Sequence, residues 1–99
     1  MAKYERYIDR FFDENNFENV VLEDNDGKAI EFEQIALVDY DANYYIILHP
    51  VSKIEGVNED EALVFLIDEN EDCVVYVEDD EIALAVFNEY YESLEKNED

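Results

Sequence analysis

Positive charge is what this chain most lacks. Six Lys and Arg stand against 29 Asp and Glu, and the net charge is −23 at pH 7. Affinity for a nucleic-acid backbone comes mainly from Lys and Arg that displace counterions, and anionic lipid surfaces attract polybasic segments. Direct DNA or RNA binding and membrane association are therefore excluded as expectations. One cysteine, Cys73, has no disulfide partner within the chain, and a single histidine, His49, cannot assemble the several imidazole or thiolate ligands of a transition-metal site. Two glycines, Gly27 and Gly56, do not make a phosphate-cradling loop, and one His with Ser52 and Ser93 is a poor basis for a nucleophilic triad. No apolar run approaches the roughly 20 residues of a membrane span, and Met1 to Tyr7 offers no signal-peptide core. A soluble, cytoplasmic location is the expectation.

Apolar residues are plentiful: 48% of the chain is hydrophobic, including eight Tyr and six Phe. Acidic disordered tails lack such residues, so a folded unit is expected, and 99 residues fit one domain spanning 1–99. The charge is uneven. Residues 1–14 set Lys3, Arg6 and Arg10 against Glu5, Asp9, Asp13 and Glu14, so nearly all the net charge lies on the remainder.

Tyr4, Tyr7, Ile8, Phe11 and Phe12 follow the spacing of one helical face, which predicts a short amphipathic helix over 2–13, an N-terminal helical extension within 1–14. Asn15-Asn16 is read as its end, because Asn tolerates the left-handed backbone of helix C-termini. The period then changes to two. Strands are predicted around Val20–Leu22, Ile30–Phe32, Ile35–Tyr40, Tyr44–His49, Ala62–Ile67 and Cys73–Val77. Asp24-Asn25-Asp26-Gly27, Glu33-Gln34, Asp41-Ala42-Asn43 and Asp68 to Asp72 separate them, while Pro50 ends one strand and residues 50–61 are irregular. Links this short make neighbouring strands antiparallel. A second helix starts at Asp79 or Asp80 and presents Ile82, Ala83, Val86, Phe87, Tyr90, Tyr91 and Leu94 to the sheet, with 95–99 as a frayed acidic tail. The predicted fold is α+β: an antiparallel meander of about six strands between a short N-terminal helix and a C-terminal amphipathic helix.

Three segments carry a family resemblance: Val20 to Gly27, Tyr45 to Val51, and Glu61 to Tyr90 with Asp79-Asp80-Glu81 leading into Val86-Phe87-Asn88. Over about residues 19–95 the chain resembles the YrzB-like family of small acidic bacterial proteins of unknown function. Where that family carries a tryptophan early in the last helix, this chain has Ile82 and Leu84. The resemblance implies the fold and brings no activity, cofactor or catalytic residue.

Three acidic segments begin like calcium loops, at Asp24, Asp39 and Asp68. None completes one: counted from Asp68, the sixth and twelfth positions hold Cys73 and Asp79 in place of Gly and Glu. Asp and Asn there serve turns. Cys73, beside Glu71 and Asp72 in a Val-rich strand, reads as a small hydrophobe with a raised thiol pKa. No catalytic, cofactor or metal residue is assigned.

Adjacent strand residues point to opposite faces, so Tyr44 and Tyr45 cannot share one core. Either one ring serves an interface, where tyrosine is enriched, or both faces of the sheet are covered. The candidate interaction surface is Asp68, Glu69, Glu71, Asp72, Tyr44 and Tyr45, and the expected role is a noncatalytic module docking, as monomer or homodimer, on a basic protein. The alternatives are a nucleic-acid mimic or an inhibitor of a basic nucleic-acid-binding protein, a ligand-binding domain or enzyme using a sheet cavity, and a purely structural or dimerising domain.

Overall fold

The computed structural model describes residues 5–13, 16, 18–23, 26–51 and 61–96. In chain order they form α1 (Asp9–Phe12), β1 (Val20–Glu23), β2 (Ala29–Tyr40), β3 (Asn43–Pro50), β4 (Leu63–Asp68), β5 (Cys73–Tyr76) and α2 (Asp80–Lys96). The strands make one antiparallel sheet in sequence order, β1-β2-β3-β4-β5. This is the α+β meander that the alternation predicts, with five strands instead of about six.

The strand count is corrected by one local irregularity. Residues 29–40, read as two strands broken at Glu33-Gln34, are a single strand of 12 residues. Gln34 pairs with Leu48 and Ala36 with Ile47, so Ile35 is the extra residue of a β-bulge. One extra residue moves the period of two by one step. Ile30 and Phe32 consequently lie on one face of the sheet, while Ala36, Val38 and Tyr40, at the same parity, lie on the other.

Two cores result. Ile8, Phe11, Val20, Phe32, Ile46, Leu48, Phe65 and Ile67 form one beneath the N-terminal segment. Val38, Tyr45, Ile47, Val64 and Val86 form the other beneath α2. Central β3 feeds both, which is why Tyr45 to Leu48 are all buried and read as an unbroken apolar run. Pro50 ends β3 after its pairing with β4 has stopped at Leu48, so its missing N–H interrupts no ladder on that side.

Asp79 caps α2: its Oδ1 accepts the Glu81 N–H at 2.9 Å, and Asp80 and Glu81 place acids at the positive end of the helix dipole. Val86 is completely buried, worth about 1.5–3 kcal/mol for a side chain of its kind. Tyr91 and Leu94, expected on the docking stripe, are instead exposed. At roughly 100° per residue Tyr91 lies about 140° around the axis from Val86, and Leu94 lies a turn beyond the last sheet contact, Tyr90. Helix α2 runs through Lys96, and residues 97–99 of the expected frayed tail lie outside the described residues.

The N-terminal segment packs as its spacing implies but is barely helical. Ile8 and Phe11 are buried, with Tyr7 and Phe12 against them, yet among the described residues of this segment only Asp9–Phe12 is helix, and residues 2–4 lie outside them. Asn16 ends the turn through its side chain and not through a left-handed backbone: its Nδ2 donates to Arg10 O at 3.1 Å and its Oδ1 accepts Glu18 N–H at 3.1 Å. Asn15, Asp24, Asn25 and residues 52–60 lie outside the described residues. Asp41 and Ala42 both have positive φ, 51° and 64°, in a two-residue hairpin of type I′ character.

Candidate functional site

The turn between β4 and β5 carries four of the six residues singled out above, and the structure divides their roles. Asp68 Oδ1 accepts the N–H groups of Asn70 at 3.0 Å and Glu71 at 3.1 Å, holding the turn from inside. Glu69 and Glu71 are exposed. Asp72, at φ 55°, turns its carboxylate back to the N-terminal segment and accepts the N–H of Tyr7 at 2.9 Å and of Ile8 at 3.0 Å. Those two bonds hold its carboxyl below the usual carboxylate range, Ile8 first and Tyr7 next, with Arg6 and Arg10 adding in the same direction.

The two tyrosines separate as strand geometry requires. Tyr45 is 6% exposed in the core under α2, tilted against Tyr40. Tyr44 is 37% exposed on the opposite face, with its ring edge-on to Phe12 at 5.0 Å. Both faces of the sheet are thus covered, but Tyr44 sits at the margin of its cover.

Around that margin lie two depressions that meet at Phe12 and Asp13. A hollow of about 500 Å³ is lined by Arg6, Asp9, Phe12, Asp13, Tyr44 and Glu69. A groove of about 350 Å³ runs between α1 and the bulge of β2, lined among others by Phe11, Phe12, Asp13, Ile35, Leu37 and Ile46. The hollow brings Tyr44 and Glu69 together, whereas Tyr45 and Glu71 do not line it, Asp68 holds the turn and Asp72 holds the N-terminal segment. Arg6 is tied to Asp9 by bonds of 3.1 and 2.9 Å, so the hollow's exposed charge is negative.

Sequence reasoning missed Asp9, Phe12, Asp13, Ile35 and Leu37 as site residues. The signals were the nearly neutral segment 1–14, which marks an electrostatically different surface, and the break of period at Glu33-Gln34. Ile35 and Leu37 remain 41% and 38% exposed there.

Chemically the site offers apolar contact and carboxylates. Its Asn16 and Gln34 amides donate to the backbone oxygens of Arg10 and Glu18, so they do not converge on the groove. Among the described residues no three His, Cys, Asp or Glu are grouped to hold a metal ion. The Cys73 thiol is pushed up by burial and then by Asp68, Glu71 and Asp72, opposite to the direction a reactive thiolate needs. No described helix is long and apolar enough to cross a membrane.

The chain is 38% identical over 83 residues to the UPF0473 protein of Caldicellulosiruptor saccharolyticus, an alignment covering 81% of this chain and 82% of that one. The chain belongs to the UPF0473 family. The UPF0473 protein of Clostridium botulinum is 39% identical over 71 residues, covering 69% of this chain and 80% of that one. The UPF0473 protein of Caldicellulosiruptor bescii is 38% identical over 83 residues, or 81% of this chain and 83% of that one. No protein-family model and no solved structure matches the chain. Membership in an uncharacterised family agrees with the coarse content of the resemblance, and the shared name states no activity, substrate or partner.

Proposed function

We propose that this chain is a noncatalytic acidic module of the cytoplasm that docks on a basic protein surface; the likeness to YrzB-like proteins over residues 19–95 belongs to the same reading. The observation that carries it is the hollow beside α1, where a partly exposed aromatic ring, Tyr44, shares the lining with Asp13, Glu69 and the Arg6–Asp9 pair, a net negative set on a chain of net charge −23. Charge on this scale steers a basic partner and repels acidic ones, while an aromatic anchor supplies affinity. Among the described residues, the groove's Asn16 and Gln34 amides serve backbone oxygens of the chain itself, which favours docking over catalysis.

The test is affinity capture from the native cytoplasm at low and at high salt, with captured proteins identified. Glu69→Lys with Glu71→Lys should weaken capture of a basic protein, while Glu89→Lys with Glu92→Lys on α2 should not. Asp68 and Asp72 are spared because they hold the turn and the N-terminal segment. Capture that is indifferent to salt and to both reversals would refute the electrostatic reading. A captured nucleic-acid-binding protein would give the reading its sharper form, mimicry of a phosphate backbone.

A further inference from the structure

We infer that the groove between α1 and the β2 bulge is a peptide-docking site whose occupant is a short basic segment with a large apolar side chain at its centre. The inference rests on the docking reading above and names the place and the chemistry. The apolar wall comes from the bulge: Ile35, without a ladder partner, and Leu37, across from Ile46, stay 41% and 38% exposed, whereas the alternating residues Ala36 and Val38 turn to the core under α2. A bulge that re-aims side chains beside a groove is a common device at binding sites. Phe12 forms the opposite wall and shares its ring contact with Tyr44.

Charge decides among occupants. Asp13 borders both the groove and the hollow, Asp9 and Glu69 line the hollow, and Asp39 follows Leu37 on the same side of β2. The hollow's cation, Arg6, is engaged with Asp9. A second copy would bring another −23 to this rim, and a nucleic acid or anionic bilayer would be repelled likewise. A segment with Lys or Arg on either side of a Leu or Phe satisfies both surfaces: the apolar side chain enters the groove and a flanking cation reaches the hollow. The exposed stripe of Leu84, Tyr91 and Leu94 on α2 borders neither of these two depressions.

The experiment titrates the full chain, labelled for amide NMR, with two peptides, Lys-Lys-Leu-Phe-Lys-Lys and Lys-Lys-Ser-Ser-Lys-Lys. The expected result is saturable shifts centred on Phe12, Asp13, Ile35, Leu37 and Tyr44 for the first peptide, and affinity about tenfold weaker for the second, as the loss of a buried anchor implies. Ile35→Ser with Leu37→Ser should remove that difference, while Leu84→Ser with Tyr91→Ser should preserve it. Should the first pair of changes unfold the chain, a nitroxide on the Leu-Phe peptide still tests the wild type: it should broaden the amides of Ile35 and Leu37 before those of α2. Equal affinity for the two peptides, or shifts centred on α2, overturns the groove assignment and leaves the acidic docking reading standing. Absence of binding by either peptide also overturns the groove, and salt-sensitive capture of a basic protein then decides the broader reading separately.

Discussion

The Asp72 carboxylate accepts the backbone N–H of Ile8 at 3.0 Å, joining the turn after β4 to the N-terminal segment across 64 positions of the chain. A second bond, from Tyr7 N–H at 2.9 Å, makes the contact bidentate. These are charge-assisted bonds to N–H groups at the start of a helical turn, which lack partners within it. They seat Ile8 and Phe11 on the sheet, and the groove's Phe12 wall depends on that seating.

Replacing Asp72 with Ala should therefore loosen residues 7–12 while leaving the α2 side intact. Hydrogen exchange of the Tyr7 and Ile8 amides should accelerate on the order of tenfold or more, with Val86 and Ile47 little changed. Asp72→Asn, which keeps an acceptor oxygen and tolerates positive φ, should fall between. Unchanged exchange at Ile8 in the Ala variant would mean that apolar packing alone seats the segment.

The same contact predicts a pH dependence of definite sign. Asp72 titrates below its unfolded value of about 3.9, so its contribution is complete above that value and is lost as pH falls through the lower folded value. Protonation of the many other carboxylates relieves repulsion and acts oppositely, so wild type must be compared with Asp72→Asn. Their stability difference should be constant from pH 5 to 7 and shrink toward pH 2, measured by urea unfolding at each pH. A difference growing on acidification would contradict the assigned sign.

Ala42 holds φ at 64° in the turn between β2 and β3, a conformation that places its Cβ against the following carbonyl. Type I′ turns prefer Gly at this second central position. Ala42→Gly should stabilise the chain by about 1 kcal/mol, a rise of roughly 4–8 °C in Tm for a chain of this size. Thermal unfolding by circular dichroism checks it, and a lower Tm would show that flexibility gained in the unfolded chain outweighs the relieved strain.

Deleting Gln34 together with Ile35 should be far more damaging than deleting Ile35 alone. Without the spare residue Ile35 the ladder becomes regular, and plain alternation keeps Phe32 and Val38 on the opposite faces they already occupy; with Gln34 gone as well they fall in one phase of β2 and one of the two cores loses its residues. Ile35→Ser, at an exposed bulge position, should cost no more than about 1 kcal/mol. Soluble expression and amide NMR of the variants provide the comparison, and equally well-dispersed spectra from the two deletions would refute the phase argument.

The meander was readable because polar turns punctuate an alternating pattern, and the helical stripes marked Ile8, Phe11 and Val86, which bury, although Tyr91 and Leu94 of the second stripe stay exposed. What escaped the reading was the effect of single residues on phase and of distant residues on each other. Glu33-Gln34 resembles a turn in composition, yet the ladder continues through it with Ile35 as the spare residue. The spacing of Tyr7, Ile8, Phe11 and Phe12 identifies a buried face without determining how many residues are helical, and one turn suffices. Among the acids, Asp72 differs from Glu71 only through a contact with residues early in the chain, which no local pattern encodes. Opposite placement of Tyr44 and Tyr45 follows from adjacency alone, but which ring is buried depends on where α2 lies.

The tether at Asp72 also orders events during synthesis. Tyr7 and Ile8 leave the ribosome well before their anchor is made; at ~5–20 residues per second the interval is about 3–13 s, with exit-tunnel transit common to both. Through that interval Ile8, Phe11 and Phe12 have no finished sheet to cover, because β4 and β5 are still to come. This early-made apolar cluster is thus sheltered late, and the nascent chain spends those seconds displaying aromatic side chains beside Lys3, Arg6 and Arg10, three of its six cations.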